Sequence, residues 1–160
     1  MNRLWAPWRM AYVGASEPPA GCIFCSARER PDDRAALVLH RGARSFLILN
    51  AFPYAPGHLM AVLNRHVADL EAASVDEMAE AMTLVRMATA ALAAEYRPHG
   101  FNVGINLGSA AGAGIKDHLH VHVVPRWYGD SNFMAVVGEV RVLPEALEAT
   151  YDRLRRRLVE

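Results

Sequence analysis

The chain has 160 residues and a mass of 17.6 kDa, a length suited to one domain whose core needs no staples. Apolar residues make up 52% and charged residues 21%, which argues against a disordered chain. Seventeen basic residues balance seventeen acidic ones, so no global electrostatic grip on nucleic acid or an anionic membrane is expected, and only local anion sites remain.

Residues 1–34 read as an irregular N-terminal extension, because Pro7, Pro18, Pro19, Gly21 and Pro31 punctuate them. No apolar run of signal-peptide or membrane-helix length occurs, so a cytoplasmic protein is expected. Two short strands are expected over 36–40 and 45–50, linked by Arg41-Gly42-Ala43. A turn over 51–57 carries two prolines and a glycine, and a third strand follows over 58–63. Ser74 and Glu77 have capping-box spacing and open a long helix. Met78, Met82, Val85, Thr89, Leu92 and Tyr96 mark its expected buried stripe, and it ends before Pro98. Phe101, Val103, Ile105 and Leu107 alternate with polar or small residues as a strand does. Residues 108–114 form a small-residue loop, and 118–124 a strand stopped by Pro125. A last helix is expected from Pro144, with Leu147, Tyr151, Leu154 and Leu158 inward and Arg153, Arg155, Arg156 and Arg157 at its end. Strand hairpins around one long helix indicate an α+β domain with an antiparallel sheet.

The chemistry concentrates in His118-Leu119-His120-Val121-His122. On a strand, residues two apart share a face, so three imidazoles point one way while Leu119, Val121 and Val123 point into the core. One metal ion does not easily hold all three, because the outer two lie about 13 Å apart along an extended chain. Nucleophilic catalysis at phosphorus is the competing use: imidazole is nucleophilic near neutral pH, and flanking histidines can serve phosphate oxygens and a leaving group. The glycines of the 108–114 loop allow backbone amides to approach an anion. Lys116 and Arg126 are charges nearby in sequence. Cys22 and Cys25 are spaced for zinc or for redox chemistry, and zinc needs two more ligands.

His118-Leu119-His120-Val121-His122-Val123-Val124 resembles the His-φ-His-φ-His-φ-φ signature of the histidine triad (HIT) family of nucleotide hydrolases and transferases. Further matches stand in order: Cys22-Ile23-Phe24-Cys25, Asn50, Pro56-Gly57-His58-Leu59, His66 and Asn106. The resemblance implies the histidine triad fold: a five-stranded antiparallel sheet with one long helix and a C-terminal helix over 143–160, helices on one face, in a single domain spanning 1–160. It implies that His120 attacks the α-phosphate and carries a nucleotidyl group. His122 and His58 would bind phosphate, with His118 completing the triad. Asn50 sits at the ribose position and Asn106 near the bridging oxygen. Gly108, Ala113, Gly114 and Trp127 complete the implied nucleotide site, Trp127 as a wall or as ordinary packing. In zinc-bearing relatives Cys22, Cys25, His66 and His118 would be the four ligands; two reduced thiols are the alternative.

Two departures refine the resemblance. Gly114 stands where most members carry a glutamine that positions phosphate or water, and the loop after Asn106 is one residue longer. With the segments 4–10 and 125–134, these features resemble the bacterial diadenosine tetraphosphate phosphorylase branch, which uses inorganic phosphate to release ADP from the adenylylated histidine. The implied function is nucleotidyl transfer from dinucleoside polyphosphates to phosphate, giving ATP and ADP. The alternatives are a triad hydrolase of dinucleoside polyphosphates or phosphoramidates, and a zinc-stabilised nucleotide-binding module. Nucleotide and phosphate are the implied partners, in a homodimer or homotetramer, without nucleic acid or membrane.

Overall fold

A sheet with one greasy face and one mixed face organises the molecule, and the alternation along each strand sets which is which. The computed structural model describes residues 21–130 and 145–159. The elements are α1 (Ile23–Glu29), β1 (Val38–Arg41), β2 (Ser45–Leu49), β3 (Leu59–Leu63), α2 (Val75–Tyr96), β4 (Gly100–Gly104), β5 (His120–Arg126) and α3 (Leu147–Val159). The five strands run antiparallel in the order β1-β2-β3-β5-β4. Among the described residues, no helix is long and apolar enough to cross a membrane.

Leu39, Leu47, Leu49, Leu59, Ala61, Leu63, Leu119, Val121 and Val123 form the greasy face and pack under α2 and α3. The three aliphatics that alternate with the histidines therefore do point into the core. The other face carries Val38, Phe46, Ile48, Met60 and Val62, against which Phe24 and Ala27 of α1 pack. Helices thus lie on both faces, not one, and residues 23–29 are helical where an irregular extension was expected. The seven-residue α1 is too short to show a periodicity; it is held by tertiary contacts instead.

Ser74 caps α2 as expected, accepting from the Glu77 amide while the Glu77 carboxylate accepts from Ser74 N–H. The buried stripe is rotated from the expected one. Ala81, Leu84, Val85, Ala88, Ala91 and Leu92 are buried, whereas Met82 is exposed. Alanines let the helix approach the sheet closely, and a reading that weighs only large apolar residues misses them. Arg97, in the left-handed region at φ 46°, ends the helix.

Three strand limits also differ. β1 starts at Val38 because Leu37 is left-handed at φ 60°. β4 stops at Gly104, short of Ile105 and Leu107. β5 runs through Pro125, which lies beyond the last residue paired with β3, so it is flanked by a strand on the β4 side alone. In α3, Tyr151, Leu154 and Leu158 are buried as expected. Its arginines are largely partnered: Arg153 with Glu145, Arg155 with Asp33 and the Leu39 carbonyl, and Arg157 with Glu95. Pro144, residues 1–20 and Ser131–Met134, on which part of the family comparison rested, lie outside the described residues.

Candidate functional site

The mixed face of the sheet gathers the polar residues. Val62 pairs with His120 and Met60 with His122, so His120 and His122 stand on the face that Met60 and Val62 share. His58 lies one step before β3 on that same face, diagonal to His122. Asn50 follows β2 on it as well. Gly57 makes the approach possible: it sits at φ 77°, and a Cβ there would meet Leu92 Cδ2 at 2.6 Å.

His120 is only 5% exposed. Its Nδ1 lies 2.7 Å from the backbone carbonyl of His118. A carbonyl only accepts, so Nδ1 carries the proton and Nε2 carries the lone pair. Burial holds its pKa below the usual histidine value, which keeps that lone pair unprotonated. The backbone N–H of Tyr54 donates to His58 Nδ1 at 3.1 Å. The proton of His58 is then on Nε2, which donates to His122 Nδ1 at 3.0 Å. This relay leaves the proton of His122 on Nε2, as a donor. Burial, with the neighbouring His120 adding to it, pushes His122 down to about 4. The rings of His120 and His122 meet edge to face at 4.8 Å, and Tyr54 lies over His58 at 4.6 Å. A lone pair beside a chain of N–H donors suits attack on a phosphorus with its oxygens hydrogen-bonded.

His120, His122 and Tyr54 open on a cleft of about 760 Å³, with His58 behind them. His120, His122, Asn50, Gly114, Phe24 and Tyr54 line it, with an apolar flank from Leu37, Ile48 and Met60. Asn50 Oδ1 accepts from Phe52 N–H at 2.9 Å, which leaves its amide group toward His58. Asn106, Gly108, Ala113 and Trp127 are not among the residues lining this cleft. Asn106 donates to the Gly112 carbonyl at 3.4 Å, and the Trp127 amide donates to Asp130. The loop amides of Ala111, Gly112 and Ala113 turn back on Gly108 and Ser109 carbonyls rather than outward. Arg126 is held bidentate by Asp130 and also donates to Asn102, while Lys116 is exposed.

His118 turns away from the cleft. Its Nε2–H donates to the Leu63 carbonyl at 2.7 Å, so Nδ1 presents a lone pair to Cys22 Sγ at 3.2 Å and Cys25 Sγ at 3.7 Å. His66 Nδ1 is 3.4 Å from Cys25 Sγ. The four ligand atoms lie within 4.8 Å of one another. Tetrahedral zinc with two sulfur and two nitrogen ligands needs edges of about 3.3–3.8 Å; the three sulfur–nitrogen pairs at 3.2, 3.4 and 3.7 Å are near that range, and the wider pairs would have to close by up to about 1 Å, so the donor set fits zinc with a small contraction. All four positions would be filled by protein, which makes it a structural site; bound zinc would supply folding energy there. The His118–Leu63 bond is the kind of outer contact that orients a ligating imidazole.

Phe24, Tyr54, Phe52 and Ile115 belong to this surroundings without having been singled out from the sequence. Phe24 had a signal, its place inside Cys22-Ile23-Phe24-Cys25; the others had none.

Comparison with known proteins agrees with this geometry. The HIT domain model matches residues 33–128. The chain is 41% identical over 157 residues to AP-4-A phosphorylase of Mycobacterium tuberculosis, covering 94% of this chain and 80% of that one. It is 30% identical over 105 residues to adenosine 5'-monophosphoramidase of Schizosaccharomyces pombe, covering 66% of this chain and 74% of that one. A Zn-bound histidine triad family protein from Mycobacterium smegmatis superposes with a TM-score of 0.69 at 26% identity, covering 87% and 94%. With the ordered motif, the mixed sheet face and a family match over most of its length, the chain belongs to the histidine triad family of nucleotide-processing enzymes.

Proposed function

We propose that the protein transfers a nucleotidyl group from diadenosine tetraphosphate to inorganic phosphate, giving ATP and ADP. The observation that carries the chemistry is the proton on His120 Nδ1, bound to the His118 carbonyl, which leaves Nε2 as a nucleophile beside the His58–His122 relay. In the first half-reaction an N–P bond forms at Nε2 and the P–O bond to departing ATP breaks. In the second, a phosphate oxygen attacks the same phosphorus, the N–P bond breaks, and ADP leaves. His122 Nε2–H serves the phosphate oxygens and Asn50 the ribose, while His58, expected from the resemblance to bind phosphate itself, spends its own Nε2–H on fixing that His122 tautomer.

Phosphate rather than water is favoured as acceptor by two things: the 41% identity to a phosphorylase, and Gly114 at the cleft where a side chain would otherwise hold water. Cys22, Cys25, His66 and His118 hold a structural zinc in this reading. β4, an edge strand of the sheet among the described residues with Val103 44% exposed, is the natural seam for a second copy, in a cytoplasmic homo-oligomer. Product analysis with and without saturating phosphate tests the reading. ATP plus ADP supports it; AMP plus ATP at saturating phosphate replaces it with a hydrolase. Gly114→Gln is expected to shift products toward hydrolysis.

A further inference from the structure

The two ends of α1 are held by different means. At its C-terminal end Arg41 donates to the Ala27, Arg28 and Arg30 carbonyls and pairs with Asp33. At its N-terminal end the N-cap residue, Cys22, makes no side-chain capping hydrogen bond. Cys22 and Cys25 reach across to His118 and His66 instead. Between the two cysteines, Phe24 is fully buried, its ring 5.4 Å from His118 and 5.0 Å from His120. His118 faces two ways: its ring joins the cysteines, and its carbonyl holds the His120 Nδ1 proton.

His120 therefore has little freedom to turn. Its hydrogen bond fixes one edge of the ring, and the rings of His122 and Phe24 both stand against it, with centroids at 4.8 and 5.0 Å. Of these restraints, Phe24 sits in the turn of α1 that the cysteines anchor. We propose that the four-ligand cluster positions His120: with a metal closing it, Phe24 is pressed onto β5 and holds the imidazole at the floor of the cleft. Phe24 is a positioning residue, acting on the reaction through His120 without touching the phosphorus. The inference rests on His120 being the nucleophile. Because Arg41 holds the other end of α1, opening the cluster loosens the first turn of the helix and leaves the sheet and its two other helices in place.

A small misplacement of a reacting group costs rate steeply, on the order of a hundredfold for 1 Å. Phe24→Leu, loaded with zinc, is expected to lose about tenfold in kcat with zinc content unchanged; because Phe24 also lines the cleft, kcat at saturating substrate rather than KM is the deciding reading. The exchangeable proton on His120 Nδ1, followed by NMR in the substrate-free protein, should exchange faster in that variant. Chelation of the wild-type protein should lower kcat by a similar factor, and chelation of Phe24→Leu should add little, since both act on one contact. Wild-type kcat in zinc-loaded Phe24→Leu overturns the proposal, as does independent multiplication of the two effects. If chelated protein unfolds by circular dichroism, the zinc-loaded variant alone decides. His120→Ala separates the two readings: turnover by that variant sinks the nucleophile assignment, whereas an inert His120→Ala beside a fully active Phe24→Leu sinks only the positioning role.

Discussion

His118 and His122 are equivalent in sequence, each two residues from His120, and opposite in surroundings. His118, two residues before β5, is 1% exposed and faces two thiols and an exposed histidine. His122 is half-buried, faces the cleft, and takes its proton arrangement from His58 and Tyr54. Strand spacing placed both on one side of the sheet; what stands opposite each decided its chemistry. At one end that is α1 with its cysteines, and at the other the turn from Ala51 to Gly57. The motif's symmetry is therefore a poor guide to roles, and neighbouring elements are a good one.

The sharpest way to break this comparison starts at its centre. His120→Ala should lose at least about four orders of magnitude in turnover while staying folded and keeping its zinc, as loss of a covalent nucleophile does. Steady-state rates with circular dichroism and metal analysis check it, and retained turnover would remove the nucleophile.

The two flanks should then separate. His122→Ala is expected to lose about a hundredfold in kcat or more with a nearly unchanged melting temperature, since a cleft donor is removed. His118→Ala should instead lose stoichiometric zinc and several kcal/mol of stability, because metal binding is folding energy. Equal melting temperatures for the two variants would show the flanks to be alike after all.

Gly57→Ala tests the turn that delivers His58. The left-handed φ and the 2.6 Å contact with Leu92 make the added methyl costly by about 1–3 kcal/mol. The His58–His122 relay should loosen with it, so kcat falls while zinc content holds.

Acid distinguishes the ends as well. His122 is held to about 4 in the folded protein against an ordinary 6.5. Between those values the unfolded chain binds the extra proton and the native one does not. The stability linked to His122 is therefore complete above about pH 6.5 and is lost as pH falls toward 4. Protonating Nδ1 also breaks the relay from His58, so kcat/KM should drop in the same acidic range. His122→Asn should flatten the melting temperature over that window; an unaltered slope would show another group responsible.

The smallest expected effect lies away from both ends. Ser74→Ala removes the α2 cap and should cost about 1 kcal/mol, with zinc and kcat unchanged.

Periodicity alone determined the strand-rich α+β class, the cap at Ser74 and the inward turn of Leu119, Val121 and Val123, because these depend on local spacing and apolar character. The ordered motif carried the family, and the resemblance pointed to His120, His122, His58 and Asn50, which the fold brings to one face of the sheet. Tertiary structure decided what spacing leaves open. Residues 23–29 became a helix on the histidine face, because Phe24 and Ala27 find an apolar surface there and Arg41 holds the end. The buried stripe of α2 rotated onto its alanines, because close approach to the sheet rewards small side chains. The loop amides at 111–113 closed on their own turn, and Arg126 closed on Asp130, because backbone and guanidinium donors take the nearest good acceptor. Above all, the split between His118 and His122, and the place of Phe24 between the cysteines and His120, depend on contacts between residues far apart along the chain, which no local pattern records.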